Sequence, residues 1–322
     1  MRSEFFRPFW VDISLYKGTR KSSGFKNWLS KADYFVDSVD SATLFYLSAR
    51  DRDLLGSAFA ADAVNYAIHS LQSVHAIRAT AAFPKVGAWQ LIKAYYASFF
   101  AAHSMLRLFG MPFTNLEAGH VREILKVARA SNSPISLADG KALSSGNYAI
   151  RYVADSKTLM CNYQPDSHKD LWAAFNSAIK RVSIEILSVR GPSEELQEIS
   201  DSLTRLSNLL EKRGAYSTGN WLSVYRNEIN YQASELIWFP FKKNEIASSA
   251  LFASVRPWRS DRLNISDCET KRTEVESFFF TCLFIVQLMK SLMADYVKVA
   301  DGCLSAALYK KYIALENGSG EV

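Results

Sequence analysis

Residues 278–289, FFFTCLFIVQLM, offer almost no polar side to a helix. Val275, Phe279, Cys282, Val286, Met289 and Met293 recur at helical spacing. Phe278, Phe284 and Ile285 make the remaining sides apolar as well. A helix of this kind must lie at the centre of a protein or under a partner. The run is only 12 residues long, lies between Glu276 and Lys290 and contains Gln287. A bilayer core asks for about 20 apolar residues, so no membrane insertion is expected. Leu292, Met293 and Tyr296 could extend the helix, which keeps a membrane-associated effector as an outside reading. The rest of the chain has to supply the cover.

It has the means to do so. The chain is 322 residues long, 48% apolar and 13% aromatic. That is enough for one large or two modest domains and excludes global disorder. The four cysteines, at 161, 268, 282 and 303, show no metal-site spacing and read as a reducing, cytoplasmic compartment. No HExxH, Walker A, GxGxxG or GxSxG pattern is present, so no metal and no cofactor is expected. Charged residues interrupt the N-terminal MRSEFFRPFWVDISLYKG, which does not read as a signal peptide. The net charge of +6 permits an anionic partner.

Helical periodicity dominates the chain. Residues 28–47 read as a helix with a stripe of Phe35, Val39, Ala42, Phe45 and Tyr46, and 54–80 as a long Ala-rich helix. Residues 87–109 form a third, with Leu91, Ala94, Tyr95, Ser98, Phe99, Ala102, Met105 and Leu106 inward and Gly110 as its cap. Thr114 and Glu117 make a capping box for a helix to Ala130. Residues 131–157 are rich in Ser, Asn, Gly and Asp and read mostly as loop, with 148–153 a possible short strand. Helices follow over 167–189, to Gly214, from Trp221, from Thr273 and over 301–315. The expectation is an all-α bundle of long antiparallel helices. Residues 1–53 form an N-terminal extension, and 54–322 a helical domain with a basic insertion at 242–272.

The chemistry concentrates at 221–231, WLSVYRNEINY. Arg226, Asn227, Asn230 and Tyr231 fall within about one and a half turns of an otherwise apolar helix. Burying them costs several kcal/mol unless they are paired. They serve either a site or a specific helix–helix contact. In the second case Arg226 and Asn227 set register while Tyr231 packs on Tyr95 or Tyr96.

The stretch resembles the arginine-containing signature of the HEPN superfamily, whose motif is Arg, a polar residue, three more residues, then His. Arg226 and Asn227 match, and Tyr231 stands at the His position. Residues 89–110 resemble the long aromatic helix of many members. The resemblance implies a HEPN-like helical bundle and an RNA-directed protein of prokaryotic stress or anti-phage defence, of the toxin–antitoxin kind. It further implies metal-independent endoribonuclease chemistry at a site commonly completed by a homodimer or a defence-system partner. Arg226 would hold the scissile phosphate. Tyr231, a phenol, donates a proton but rarely accepts one at neutral pH. His103, on the aromatic helix, is therefore the first histidine considered for proton transfer, with an ordinary partly buried histidine as the plainer reading.

Two classes compete: an RNA-directed nuclease or RNA binder, and a catalytically inactive interaction or sensor subunit. Arg256, Arg259, Arg262 and Lys271, interleaved with Phe252 and Trp258, would contact RNA phosphates while the rings stack bases. The plainer reading of that segment is a solvated loop.

Overall fold

The computed structural model describes residues 2–11, 24–79, 87–137, 141–189, 193–212, 214–232, 263–269 and 273–318. The chain divides into two compact units. One comprises Met1–Phe6, Tyr66–Ala102 and Phe175–Met293, and the other Arg7–Asn65, His103–Ala174 and Ala294–Val322.

The second unit holds a five-stranded antiparallel sheet, in the order β1-β2-β5-β4-β3. Its strands are β1 (Tyr34–Ser41), β2 (Leu44–Ala49), β3 (Phe113–Leu116), β4 (Gly146–Val153) and β5 (Thr158–Gln164). Alternation sets its inner face. Phe45 and Ile150 both lie opposite Cys161, and Leu47 lies opposite Leu159, all essentially removed from water. Each large apolar side chain so buried contributes about 1.5–3 kcal/mol. Helix α1 (Phe25–Ser30) and helix α4 (Ala118–Ala130) pack together, and α4 also lies on β1. It buries Val121, Ile124, Leu125 and Ala128.

The all-α expectation is therefore corrected: the protein is mixed α/β. The stretch expected to be one helix from 28 to 47 is α1 followed by the β1–β2 hairpin. The misleading signal was a spacing of three. A β-bulge makes the register pass from Val36↔Leu47 to Ser38↔Tyr46, so the inward residues run Tyr34, Val36, Val39. One extra residue in a strand thus imitates a helical step. The Thr114–Glu117 pair was also misread. Thr114 belongs to β3, and the capping box of α4 is built by Glu117 and His120.

The first unit is all-helical among its described residues. It contains residues 66–79 of α2 (Arg52–Ala79), 87–102 of α3 (Gly87–Leu108) and 175–185 of α5 (Lys169–Glu185). Helices α6 (Glu194–Leu210), α7 (Trp221–Asn227) and α8 (Ile265–Glu269) follow, with residues 274–293 of α9 (Glu274–Val299). The last helix, α10 (Leu304–Gly318), belongs to the mixed unit.

Helix α9 is the central element that its composition demanded. The Thr273–Glu276 capping box starts it, and Phe278 to Val286 are all buried, with Gln287, Lys290 and Ser291 alone partly open in the stretch that runs on to Met293. It is the one described helix long and apolar enough to cross a membrane, and 72% of its most apolar window is buried inside the protein. Buried hydroxyls tie its neighbours: Ser70 Oγ donates to the Ala97 carbonyl at 2.7 Å and Ser200 Oγ to the Ser183 carbonyl at 2.6 Å. Small polar residues at these crossings let the backbones approach and keep their hydrogen bonds satisfied.

Candidate functional site

Helix α7 is anchored by its apolar residues. Trp221 and Tyr225 pack on Phe278 of α9 with ring centroids 6.1 and 5.0 Å away, and Leu222 and Ile229 are buried beside them. Lys212 Nζ sits 4.4 Å from the Trp221 ring centre. At Asn227 the winding changes, and Glu228–Gln232 form a π turn. Such turns are rare and concentrate at functional sites.

Arg226 lies immediately before that change. It is only 5% exposed, and its guanidinium carbon is 5.1 Å from the Tyr95 ring centre and 5.9 Å from that of Tyr96. Its Nε has no hydrogen-bond partner, and no carboxylate among the described residues pairs with it. Two aromatic faces lower the cost of holding a cation there by about 0.5–2 kcal/mol each. They do not supply the acceptors that a guanidinium fork requires. The arrangement is a pre-positioned cation with no anion beside it among the described residues.

A second buried arginine shows what a satisfied one looks like. Arg107, in the mixed unit, is 1% exposed and uses its whole fork. Nε donates to Asp62 Oδ2 at 3.3 Å, Nη1 to the His103 carbonyl at 3.1 Å, and Nη2 to the Phe113 carbonyl and Thr114 Oγ1, each at 3.3 Å. Nη1 also lies 3.2 Å from His103 Nδ1. Arginine only donates, so Nδ1 is the acceptor and the imidazole proton sits on Nε2. Burial first, and the Arg107 charge second, hold the His103 pKa well below the usual imidazole value.

The residues singled out in the sequence are thus distributed unequally. Arg226, Asn227 and Tyr231 share the α7–π segment of the helical unit, whereas His103 is part of the Arg107 network in the mixed unit. Asn227 is half-buried. Tyr231 is 78% exposed and does not pack into the helical core, so Arg226 rather than Tyr231 meets Tyr95 and Tyr96. Arg256, Arg259, Arg262 and Lys271 lie outside the described residues.

Sequence reasoning missed a groove beside Arg226. It is an open depression of about 450 Å³ between α2 and α3, lined by His69, Gln72, Ser73, Lys93, Tyr96 and Phe100, among others. Tyr96 belongs both to this groove and to the Arg226 cradle. Ring contacts run on from it: Tyr96 to Phe100 at 6.2 Å and Phe100 to His69 at 5.6 Å between centroids. The available signal was the set of α3 residues left after the inward stripe is assigned. Trp89, Lys93, Tyr96 and Phe100 fall on one outer helical line.

No family model, no curated protein and no solved structure matches this chain.

Proposed function

We propose that this chain is an RNA-directed protein and that Arg226 holds a phosphate of a single-stranded RNA. The carrying observation is a buried guanidinium with an unpartnered Nε and no described carboxylate beside it. A phosphate presents the paired oxygens that the guanidinium fork fits. The resemblance of residues 221–231 to the HEPN signature supports the same reading and implies a setting in prokaryotic stress or anti-phage defence.

Arg226 can stabilise charge developing on a phosphate. Tyr231 provides little proton acceptance at neutral pH, and its exposure favours contact with a partner over chemistry beside a buried arginine. The reading is therefore an RNA-holding subunit in which cleavage needs a proton acceptor from a second chain, either another copy or a defence-system partner.

The test is retention of single-stranded RNA by the wild type and by Arg226→Met, together with metal-free incubation with a tRNA pool. Retention should fall at least tenfold in the variant, and the wild type alone should leave the tRNA intact. Equal retention by both proteins would sink the proposal. Discrete fragments from the wild type that vanish in Arg226→Met would instead make it a self-sufficient nuclease.

A further inference from the structure

We infer that the groove between α2 and α3 is a base-stacking track for single-stranded RNA, continuous with the Arg226 phosphate site through Tyr96. This inference rests on the RNA reading of that site and adds where the strand runs and what part of it is read. Trp89, Lys93, Tyr96 and Phe100 follow one another at intervals of four, three and four residues on α3. From Trp89 to Phe100 the helix rises about 16 Å, the length of about five stacked nucleotides.

The chemistry of the strip suits one ligand class. Trp89 is 53% exposed, and Tyr96, Phe100 and Tyr66 are each half-buried. Tyr66, His69, Tyr96 and Phe100 form a connected series in which Tyr66 and Tyr96 each meet Phe100 at 6.2 Å and His69 meets Phe100 edge-on at 5.6 Å, while Trp89 stands two turns before Tyr96 on the same helical line. Lys93 crosses the groove floor, with Nζ 3.2 Å from the Ala76 carbonyl, and Gln72 and Ser73 supply neutral donors and acceptors along the α2 side. Among the described residues, the groove lining contains no carboxylate. Stacking faces on either side of a lysine, and a buried guanidinium beside Tyr96, are what a strand with unpaired bases requires. A duplex keeps its base faces covered and gains nothing from the rings. A peptide would leave the guanidinium without its anion unless it brought an acidic side chain.

The experiment measures anisotropy of a labelled uridine pentamer and of an abasic ribose-phosphate pentamer of equal length. Four forms of the full chain are compared: wild type, Trp89→Ala, Phe100→Ala and Arg226→Met. The wild type should bind the uridine oligomer at least tenfold more tightly than the abasic one, because each base stack lost weakens binding by about tenfold. Trp89→Ala and Phe100→Ala should shrink that preference toward unity, and Trp89→Phe should restore most of it. Arg226→Met should weaken both oligomers by a similar factor and keep the preference. Equal wild-type affinity for the two oligomers, or an unchanged preference in both groove variants, would overturn the track while leaving the phosphate site intact. Binding of neither oligomer by the wild type would overturn the RNA reading and the track with it. Trp89 is over half exposed, so its removal leaves the core in place. Circular dichroism checks the fold of Phe100→Ala.

Discussion

Replacing Arg226 by methionine should make this protein more stable while it binds RNA less well. The buried guanidinium lacks a carboxylate among the described residues, and its Nε lacks any acceptor. A largely buried charge with no carboxylate beside it among the described residues costs several kcal/mol even after local relaxation. What offsets that cost is contact with Tyr95 and Tyr96 at 5.1 and 5.9 Å, about 1–4 kcal/mol in all for a partly desolvated cation. Methionine has a flexible stem that fills irregular gaps and packs against rings, so little packing is lost. The balance favours the variant by about 1–2 kcal/mol, roughly 1.5–3 °C in Tm for a chain of this size. Thermal unfolding followed by circular dichroism, without nucleic acid, reads this directly. A drop in Tm of 2 °C or more would show that Arg226 is a structural member of the α3–α7 contact. Arg226 would then not be a site awaiting a phosphate.

The mixed unit should respond in the opposite sense. Arg107→Met strips the fork from Asp62, Thr114 and the carbonyls of His103 and Phe113, so stability should fall by about 3–5 kcal/mol, read from the urea midpoint. Arg107→Lys should rescue little of it, because an ammonium cannot span those acceptors. His103 adds a pH dependence. Its pKa is depressed in the folded protein, whereas in the unfolded chain the imidazole protonates near 6.5. Its share of stability is full above about pH 6.5 and is lost as pH falls below it, by at most about 1.4 kcal/mol per pH unit. His103→Gln should remove one proton's worth of slope between pH 6.5 and 5.5, and an unchanged slope would show that His103 is not the neutral group described.

How far the sequence was legible depends on the kind of signal each region carries. Helix α9 was plain, because an apolar run at helical spacing behind a Thr-x-x-Glu box admits few alternatives. Helix α6 was equally readable from Leu196, Ile199, Leu203, Leu206 and Leu210, all buried, while its Ser193 cap emerges only in the structure. The end of α3 followed from Gly110, whose φ of +68° and 2.7 Å bond from the Met111 amide to the Leu106 carbonyl form the expected left-handed cap.

The sheet was not legible for two local reasons. The bulge in β1 broke the period-two pattern on which strand recognition depends. In the Ser-, Asn- and Gly-rich region only 148–153 offered a strand, and it lies within β4, whereas β5 follows that region with mixed polarity and becomes a strand by pairing with β2 and β4. The candidate site divides in the same way. A lone arginine in an apolar helix advertised itself, because its burial needs an explanation. The neighbouring groove did not, since His69 and Phe100 come from separate helices and carry meaning only once α2 and α3 lie side by side.

The measurement that bears most directly on the central claim is the salt dependence of single-stranded RNA affinity in wild type and Arg226→Met. Each phosphate neutralised on a single strand contributes about −0.7 to the slope of log affinity against log salt. Arg226→Met should bind at least tenfold more weakly at low salt, with a slope shallower by about 0.7. Superimposable affinities and slopes for the two proteins would mean that Arg226 touches no phosphate.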